Sequence, residues 1–466
     1  MTNEQIERIA SQVVAKIVQT GAVSGGSREG WIFDTVDDAV AQAGRAQKKL
    51  CRMTLEERGK IIEAMRAAAR ASAQNLAQMA HDETGYGHVE HKLLKNLLAA
   101  DKTPGIEDLR TQAWSGDYGL TLVEMAPFGI IGSITPSTNP PSTVINNSIS
   151  MIAAGNAVVF NPHPAAKKVS QEAMRILNEA ITAAGGPAGL ITTVREPTLE
   201  TGTAIMTHRD IPLLSITGGE PVVKAAMKTG KKVIAAGPGN PPVIVDDTAV
   251  LEKAARDIVD GASFDNNVLC VAEKEVFAFS NIADALMAEM VRNGAFLIRG
   301  GDIDRVLALT LINKDGKYLI NRKYVGRDAA LILRDSGVAF SGNPRLIIAE
   351  VDPYHPFIMT EMLMPVLGIA RVKDIDDAVA HAVRVEQGCQ HSALIHSTNV
   401  KYMTYAACAL NTTIFVKNAP SYSGLGFNGE GYTTLTIATP TGEGLTAAHS
   451  FTRARRCVLY GDFRIV

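Results

Sequence analysis

Residues 129–162 read GIIGSITPSTNPPSTVINNSISMIAAGNAVVFNP. GIIGSIT (129–135) and AVVFN (157–161) are short, apolar, β-rich runs, and the stretch between them is helix-like. The same texture continues outward. After it come a helix-like stretch from Ser170 to Ala184 and then PLLSIT (212–217), KKVIAA (231–236) and PPVIVDD (241–247). Repeated strand, helix, strand units at this spacing predict parallel sheets with helices on both faces. LTLVEM (120–125) is a further β-rich run on the near side.

A second α/β region follows residue 270. It comprises EVFAFS (275–280), a helix over 281–293, the runs ALILRD (330–335), RLIIAEV (345–351) and GIARV (368–372), a helix over 374–386, then ALIHS (393–397) and TTIFVKN (412–418). The closing SFTRARRCVLYGDF (450–463) is strand-like and suited to pairing with another subunit. Before the first strand, residues 34–101 are almost wholly helical in pattern. Residues 1–20 place Ile6, Ile9, Val13, Val14, Ile17 and Val18 three and four apart, which predicts a short amphipathic helix. GAVSGGSREG (21–30) then reads as a flexible linker. An apolar stripe on a tethered helix either seeks a partner surface or folds back on its own domain.

At 466 residues the chain has material for two or three domains and large cores. Its 46 basic and 48 acidic residues intermix to a net charge of −2, which offers no electrostatic footprint for nucleic acid or an anionic membrane. Five cysteines, widely spaced and without a CxxC pair, fit a reducing compartment with neither a disulfide framework nor a zinc knuckle. No apolar run is long enough to span a bilayer and no signal pattern opens the chain, so a cytoplasmic location is expected.

Chemistry concentrates in GASFDNNVLCVA (261–272). Polar Asp265, Asn266 and Asn267 give way at once to Val268 and Leu269, so Cys270 can be both reachable and sheltered from water. A thiol there is a candidate nucleophile, although a buried cysteine also serves as a small hydrophobe. Three turns follow parallel strands, where ligands settle in open α/β sheets: Thr135-Pro136-Ser137-Thr138-Asn139-Pro140, Asn161-Pro162-His163-Pro164, and Thr217-Gly218-Gly219-Glu220. Gly218 and Gly219 precede a helix over 221–228, whose N-terminus could meet a pyrophosphate. The Asn139 amide, on a turn between prolines, can donate to an oxyanion beside the backbone N–H of Cys270. Gly424 to Gly429 matches GxGxxG, but loop residues part it from the strand before it, and GYTTLTIATP (431–440) after it reads as a strand, so it does not fit a dinucleotide fingerprint. His88 and His91, with His81 upstream, lack a clear set of further ligands and read as a solvated helix face. No metal site is expected.

With these residues in view, the chain resembles the aldehyde dehydrogenase superfamily. ETGYG (83–87), AAGNAVVFNP (153–162), FDNNVLC (264–270) and EMLMPV (361–366) carry the likeness over nearly all the chain after the linker. TPSTNPPST, NPHP, ITGG and DNNVLC place it closest to the CoA-acylating branch, in particular the propionaldehyde dehydrogenases of bacterial microcompartments. The resemblance implies an aldehyde dehydrogenase-like fold, two parallel-sheet, Rossmann-like α/β domains with a β oligomerisation arm. An NAD-binding domain would span 31–105 and 126–237, a catalytic domain 238–446, and the arm 106–125 and 447–466. It further implies that Cys270 is the nucleophile, that Asn139 is the oxyanion donor, that Thr135, Pro136, Ser137, Thr138, Asn139, Asn161, Thr217, Gly218, Gly219 and Gly237 line the NAD site, and that Glu361 holds a ribose. Asn161 stands where hydrolytic relatives usually carry lysine, which leaves NAD and NADP both open.

Hydrolytic members carry a water-activating glutamate in a segment that here reads Ala235-Ala236-Gly237-Pro238-Gly239-Asn240, with alanine at the glutamate's place. Without that base, water attack on a thioester is slow, and coenzyme A, which brings its own nucleophile, becomes the natural acceptor. The expected reaction is oxidation of a short aliphatic aldehyde, propanal or alternatively acetaldehyde, by NAD+ and CoA to acyl-CoA and NADH. A hydrolytic enzyme using Glu361 as base, a catalytically dead scaffold, and an acyl phosphate reductase are the competing readings. The resemblance also implies a dimer or tetramer, and makes residues 1–20 an encapsulation-type helix that docks on shell or core proteins inside a microcompartment.

Overall fold

A computed structural model describes residues 30–465. The expected helix over 1–20 and all but the last residue of the linker lie outside them. The described chain divides into two compact units. One comprises residues up to Glu83, Leu93–Ala236 and Tyr432 onward, and the other comprises Thr84–Lys92 and Gly237–Gly431. Residues 432–446, grouped with the second domain in the sequence reading, pack in the first unit. There the Thr433 N–H donates to the Lys102 carbonyl at 2.9 Å and the Thr436 hydroxyl to Asn147 Oδ1 at 3.0 Å.

The first unit is built on a six-stranded parallel sheet, in the order Ile32–Phe33, Ile191–Val194, Ala157–Pro162, Ile130–Thr135, Leu213–Thr217, Lys232–Ala236. Every residue of Ala157–Pro162 is buried, as expected of a strand covered on both faces. The strand order reverses between Ile130–Thr135 and Leu213–Thr217, which pair with Ile134 opposite Ile216. This is a topological switch point, and it sets the turns after those two strands side by side. Helices cover the sheet. Val36–Leu50 begins at Thr35, whose hydroxyl accepts the Asp38 N–H, and buries Val36, Ala39, Val40, Ala43, Ala46 and Leu50 at helical spacing. Gly132 lets a helix approach the sheet, since a Cβ there would lie 2.7 Å from Ile205 Cγ2.

LTLVEM does not join this parallel sheet. It lies in Gly119–Pro127, antiparallel to Gln112–Gly116 on one side and to Thr452–Tyr460 on the other. The closing strand therefore finds its first partner in its own chain. GYTTLTIATP is not a strand as a whole, since only Ile437–Ala438 pairs, with Gly444–Leu445. Its threonines take the hydrogen bonds a ladder would need: Thr434 Oγ1 accepts the Thr436 N–H at 3.0 Å.

The second unit has a seven-stranded parallel sheet, in the order Ala295–Ile298, Leu346–Glu350, Val366–Val372, Glu275–Phe279, Pro242–Val245, Ser392–His396, Ile414–Lys417. ALILRD belongs to a helix, Ala329–Asp335, whose buried Ala329, Ile332 and Leu333 fall on one helical face. The GxGxxG stretch joins no strand to a helix. Gly424 instead packs on a strand, where a Cβ would lie 2.4 Å from Ile414 Cγ2.

Candidate active site

Cys270 sits in the second unit, half-buried, beyond helix Leu251–Ser263 and a turn in which Asp265, Asn266 and Asn267 all have positive φ (50°, 53°, 66°). Three successive left-handed residues are strained, and Asn and Asp bear that conformation best. The strain is held by many ties. Asp265 Oδ1 accepts the His88 N–H at 2.8 Å and Oδ2 the Lys92 ammonium at 3.0 Å, while the Asp265 N–H donates to His91 Nδ1 at 2.8 Å. Asn266 Nδ2 donates to the Gly326 carbonyl and to Asp328 Oδ1. Asn267 Nδ2 donates to the carbonyls of Ala262 and Glu273.

These ties explain ETGYG. A Cβ on Gly87 would lie 1.8 Å from Asp265 Oδ1, and the φ of 62° already favours glycine. They also refine the reading of His88 and His91 as a solvated face: His88 is exposed, as that reading expects, while His91 is partly buried, and each ring has a partner in the cysteine turn. His88 Nε2 meets Asn266 Oδ1 at 2.9 Å, and His91 stacks on Phe264 with centroids 4.4 Å apart. Both rings brace the cysteine turn.

Lys274 was not singled out by the sequence. Its side chain is 1% exposed, and its ammonium donates to Asn267 O at 3.0 Å, Asn267 Oδ1 at 2.5 Å and Leu269 O at 3.0 Å. Burial pushes the Cys270 thiol up to about 11, the Glu361 carboxylate adds to the rise, and Lys274 and nearby backbone N–H groups oppose it. Glu361 is itself raised by burial against the pull of Lys274 and of the Gly239 N–H. Gly239 also backs onto His391, where a Cβ would lie 2.8 Å from the ring. Burial, then the Lys274 charge, lowers His391 to about 4, and its buried Nε2 has no hydrogen-bond partner. Cys270, Lys274, Glu361 and His391 thus share one electrostatic field. The signal for Lys274 and Glu273 was Glu-Lys directly ahead of an apolar strand, a place where free charges are costly.

Asn139, Thr135 to Thr138, Asn161, Thr217, Gly218 and Gly219 belong to the first unit, whereas Cys270, Gly237 and Glu361 belong to the second. The switch point brings the turns after Thr135 and Thr217 together. Two observations fit a polar ligand there. Thr135 Oγ1 is buried without a hydrogen-bond partner. A Cβ on Gly218 or Gly219 would meet nothing nearer than 3.7 Å and neither φ is positive, so neither packing nor conformation requires glycine at these two positions. Asn161 differs: its Oδ1 accepts from Thr201 Oγ1 at 2.7 Å and its Nδ2 donates to the Thr198 carbonyl at 3.2 Å, so its side chain serves helix Leu199–Thr207.

Asn139 opens helix Pro140–Ala153 without capping it by its side chain. Lys95, 3% exposed, donates to Asn139 Oδ1 at 2.6 Å. A lysine only donates, so the carbonyl end of the amide faces it and Nδ2 is turned away to donate elsewhere. Among the described residues no group of three or more His, Cys, Asp or Glu side chains could hold a metal ion.

The chain is similar to known proteins in sequence and in fold. The aldehyde dehydrogenase family matches residues 32–433. The acetylating acetaldehyde dehydrogenase EutE of Salmonella typhimurium is 48% identical over the whole of both chains. A propionaldehyde dehydrogenase from the fucose utilisation microcompartment of Clostridium phytofermentans superposes with a TM-score of 0.91 at 50% identity, covering 93% of this chain and 99% of that one. A propionaldehyde dehydrogenase from Rhodopseudomonas palustris, solved with bound CoA and an acylated cysteine, superposes with a TM-score of 0.90 at 47% identity, covering 93% and 98%.

Proposed function

Because the chain belongs to the aldehyde dehydrogenase family, we propose that it is a CoA-acylating aldehyde dehydrogenase, oxidising a short aliphatic aldehyde, propanal, to acyl-CoA through a thioester on Cys270. The observation that carries this reading is the cysteine itself, half-buried on a strained turn pinned from several sides, in a chain similar to one whose cysteine is acylated beside CoA.

In the proposed mechanism the Cys270 thiol releases its proton to solvent and its sulfur adds to the aldehyde carbonyl, whose π electrons pass to the oxygen. The Asn139 amide and the Cys270 N–H stabilise the resulting oxyanion. The turn at 135–139 and Gly218–Gly219 hold the nicotinamide coenzyme, and Glu361 its ribose. NAD+ when bound supplies the hydride acceptor, and CoA the thiol that carries the acyl group away. Ala235 and Ala236, both buried, stand where hydrolytic relatives carry their water-activating glutamate, and this favours CoA over water as acceptor. Homo-oligomer formation and docking of residues 1–20 in a microcompartment belong to the same proposal, supported by the origin of a similar structure.

The test is NADH formation from propanal by purified protein with and without CoA, beside Cys270→Ala. CoA dependence abolished by the substitution supports the reading, and equal multi-turnover rates without CoA overturn it. Acetaldehyde is the second reading, favoured by the 48% identity to an acetylating relative. The ratio of kcat/KM for the two aldehydes decides between them, and one methylene is worth about 1–3 kcal/mol.

A further inference from the structure

The two oxyanion donors of the proposed mechanism have the same feature behind them. The Asn139 amide has the buried Lys95 ammonium at its oxygen, 2.6 Å away. Its nitrogen has one long contact, to Thr138 Oγ1 at 3.3 Å. The Cys270 N–H is one end of the peptide unit whose other end is the Leu269 carbonyl, and that carbonyl accepts from the buried Lys274 ammonium at 3.0 Å. In both cases a cation holds the carbonyl end of an amide whose N–H end is the donor. An amide is a resonance unit, so a cation on its oxygen makes its N–H more positive, and charge-assisted bonds of this kind are about twice as strong as neutral ones.

A structural role alone does not account for the choice of lysine. Taking an ammonium out of water carries a large desolvation penalty. A neutral donor could tie the same carbonyls together without that cost. A fixed cation behind a donor does fit a place where negative charge develops during reaction, since the stabilisation is in place before the charge appears. We propose that Lys95 and Lys274 are positioning residues, each holding the carbonyl end of one amide so that the N–H at the other end is aimed and polarised for the developing oxyanion. This rests on the reading of Cys270 as nucleophile with Asn139 and the Cys270 N–H as donors.

The experiment uses the full-length enzyme and follows the NADH burst of a single acylation without CoA, in Lys95→Met, Lys274→Met and the Arg and Gln variants at each position. Melting temperature reports folding. Each folded Met variant is expected to lower the burst rate about ten- to hundredfold, with KM for NAD+ little changed. Arg, which keeps the charge, is expected to retain more rate than Gln, which keeps only a donor. The pH profile of iodoacetamide labelling at Cys270 separates the two lysines. Lys274→Met moves it to higher pH, because Lys274 opposes the rise that burial and Glu361 impose on Cys270, and Lys95→Met leaves it in place.

Folded Met variants with a wild-type burst overturn the proposal. Where a Met variant does not fold, the Arg and Gln variants decide: Arg faster supports it, and Gln equal or faster overturns it. A burst that survives in Cys270→Ala overturns the underlying reading and this proposal together, whereas wild-type bursts in the lysine variants beside a dead Cys270→Ala overturn this proposal alone.

Discussion

Glu273 accepts two hydrogen bonds from one residue, the Ser421 N–H at 2.8 Å on Oε1 and the Ser421 hydroxyl at 2.6 Å on Oε2. The pair ties the cysteine segment to the loop after Ile414–Lys417, and Gly261 leaves room for it, since a Cβ there would lie 2.1 Å from the carboxylate.

That carboxyl is fully buried, and burial raises it from 4.5 to about 7 against the pull of Ser421 and Lys274. Between those values the folded protein keeps a proton that the unfolded chain has lost, so this contribution is whole below pH 4.5 and is lost as pH rises to 7. Glu273→Gln removes it. The unfolding free energy of wild type minus Gln variant is expected to fall between about pH 4.5 and 7, by up to about 3 kcal/mol. Glu275, Glu361 and Glu386 act in the same sense and His391 and His396 in the opposite one, and all cancel in the difference. A difference that stays flat with pH counts against the assignment.

A thiol held near 11 in the free enzyme reacts slowly at neutral pH. Carbamidomethylation of Cys270, read on its own peptide because Cys51, Cys408 and Cys457 are exposed, is expected to speed up about tenfold per pH unit from 7 to 10. A plateau near pH 8 would show a thiolate already formed.

Asn161 is expected to matter for stability and not for coenzyme affinity. Asn161→Ala breaks its bonds to Thr198 and Thr201 and should cost about 1–2 kcal/mol of stability, with KM for NAD+ unchanged. A raised KM at unchanged melting temperature would restore its place in the coenzyme site.

Gly218→Val tests the coenzyme turn from the other direction. The protein leaves room for a Cβ there, with Val222 Cβ the nearest atom at 3.9 Å, so stability should change by no more than about 0.5 kcal/mol. KM for NAD+ should rise about tenfold or more, the equivalent of 1.4 kcal/mol. An unchanged KM places the pyrophosphate elsewhere.

Both parallel sheets were legible because a strand buried on two faces reads as an unbroken apolar run between turns. The same rule misread ALILRD, where an apolar run of strand length hides the spacing of a one-sided helix, and GYTTLTIATP, where hydroxyls compete for the backbone. Strand order, and with it the switch point, depends on pairings between distant segments that no local pattern encodes. Cys270 and the three turns stood out by residue type. Lys95 and Lys274 did not, because a lysine in sequence looks like solvated surface: the oxygen that holds Lys95 lies 44 residues on, at Asn139, and those that hold Lys274 converge on it only because the turn at Asn267–Leu269 folds back. The partners of His88 and His91 were hidden by distance along the chain, since they lie 178 and 174 residues further on.

The ties of the ETGYG segment bear on how the chain is made. The Gly87 N–H donates to the Gly326 carbonyl, and the His88 N–H to Asp265. At a synthesis speed of about 5–20 residues per second, residues 84–92 wait on the order of ten to fifty seconds for their last partner to leave the ribosome. Through that interval residues translated on either side of them can already assemble the first sheet. The nascent protein must therefore carry an unfinished loop through about half of its own translation, and a ribosome stalled between codons 130 and 320 would leave a chain whose second unit cannot close.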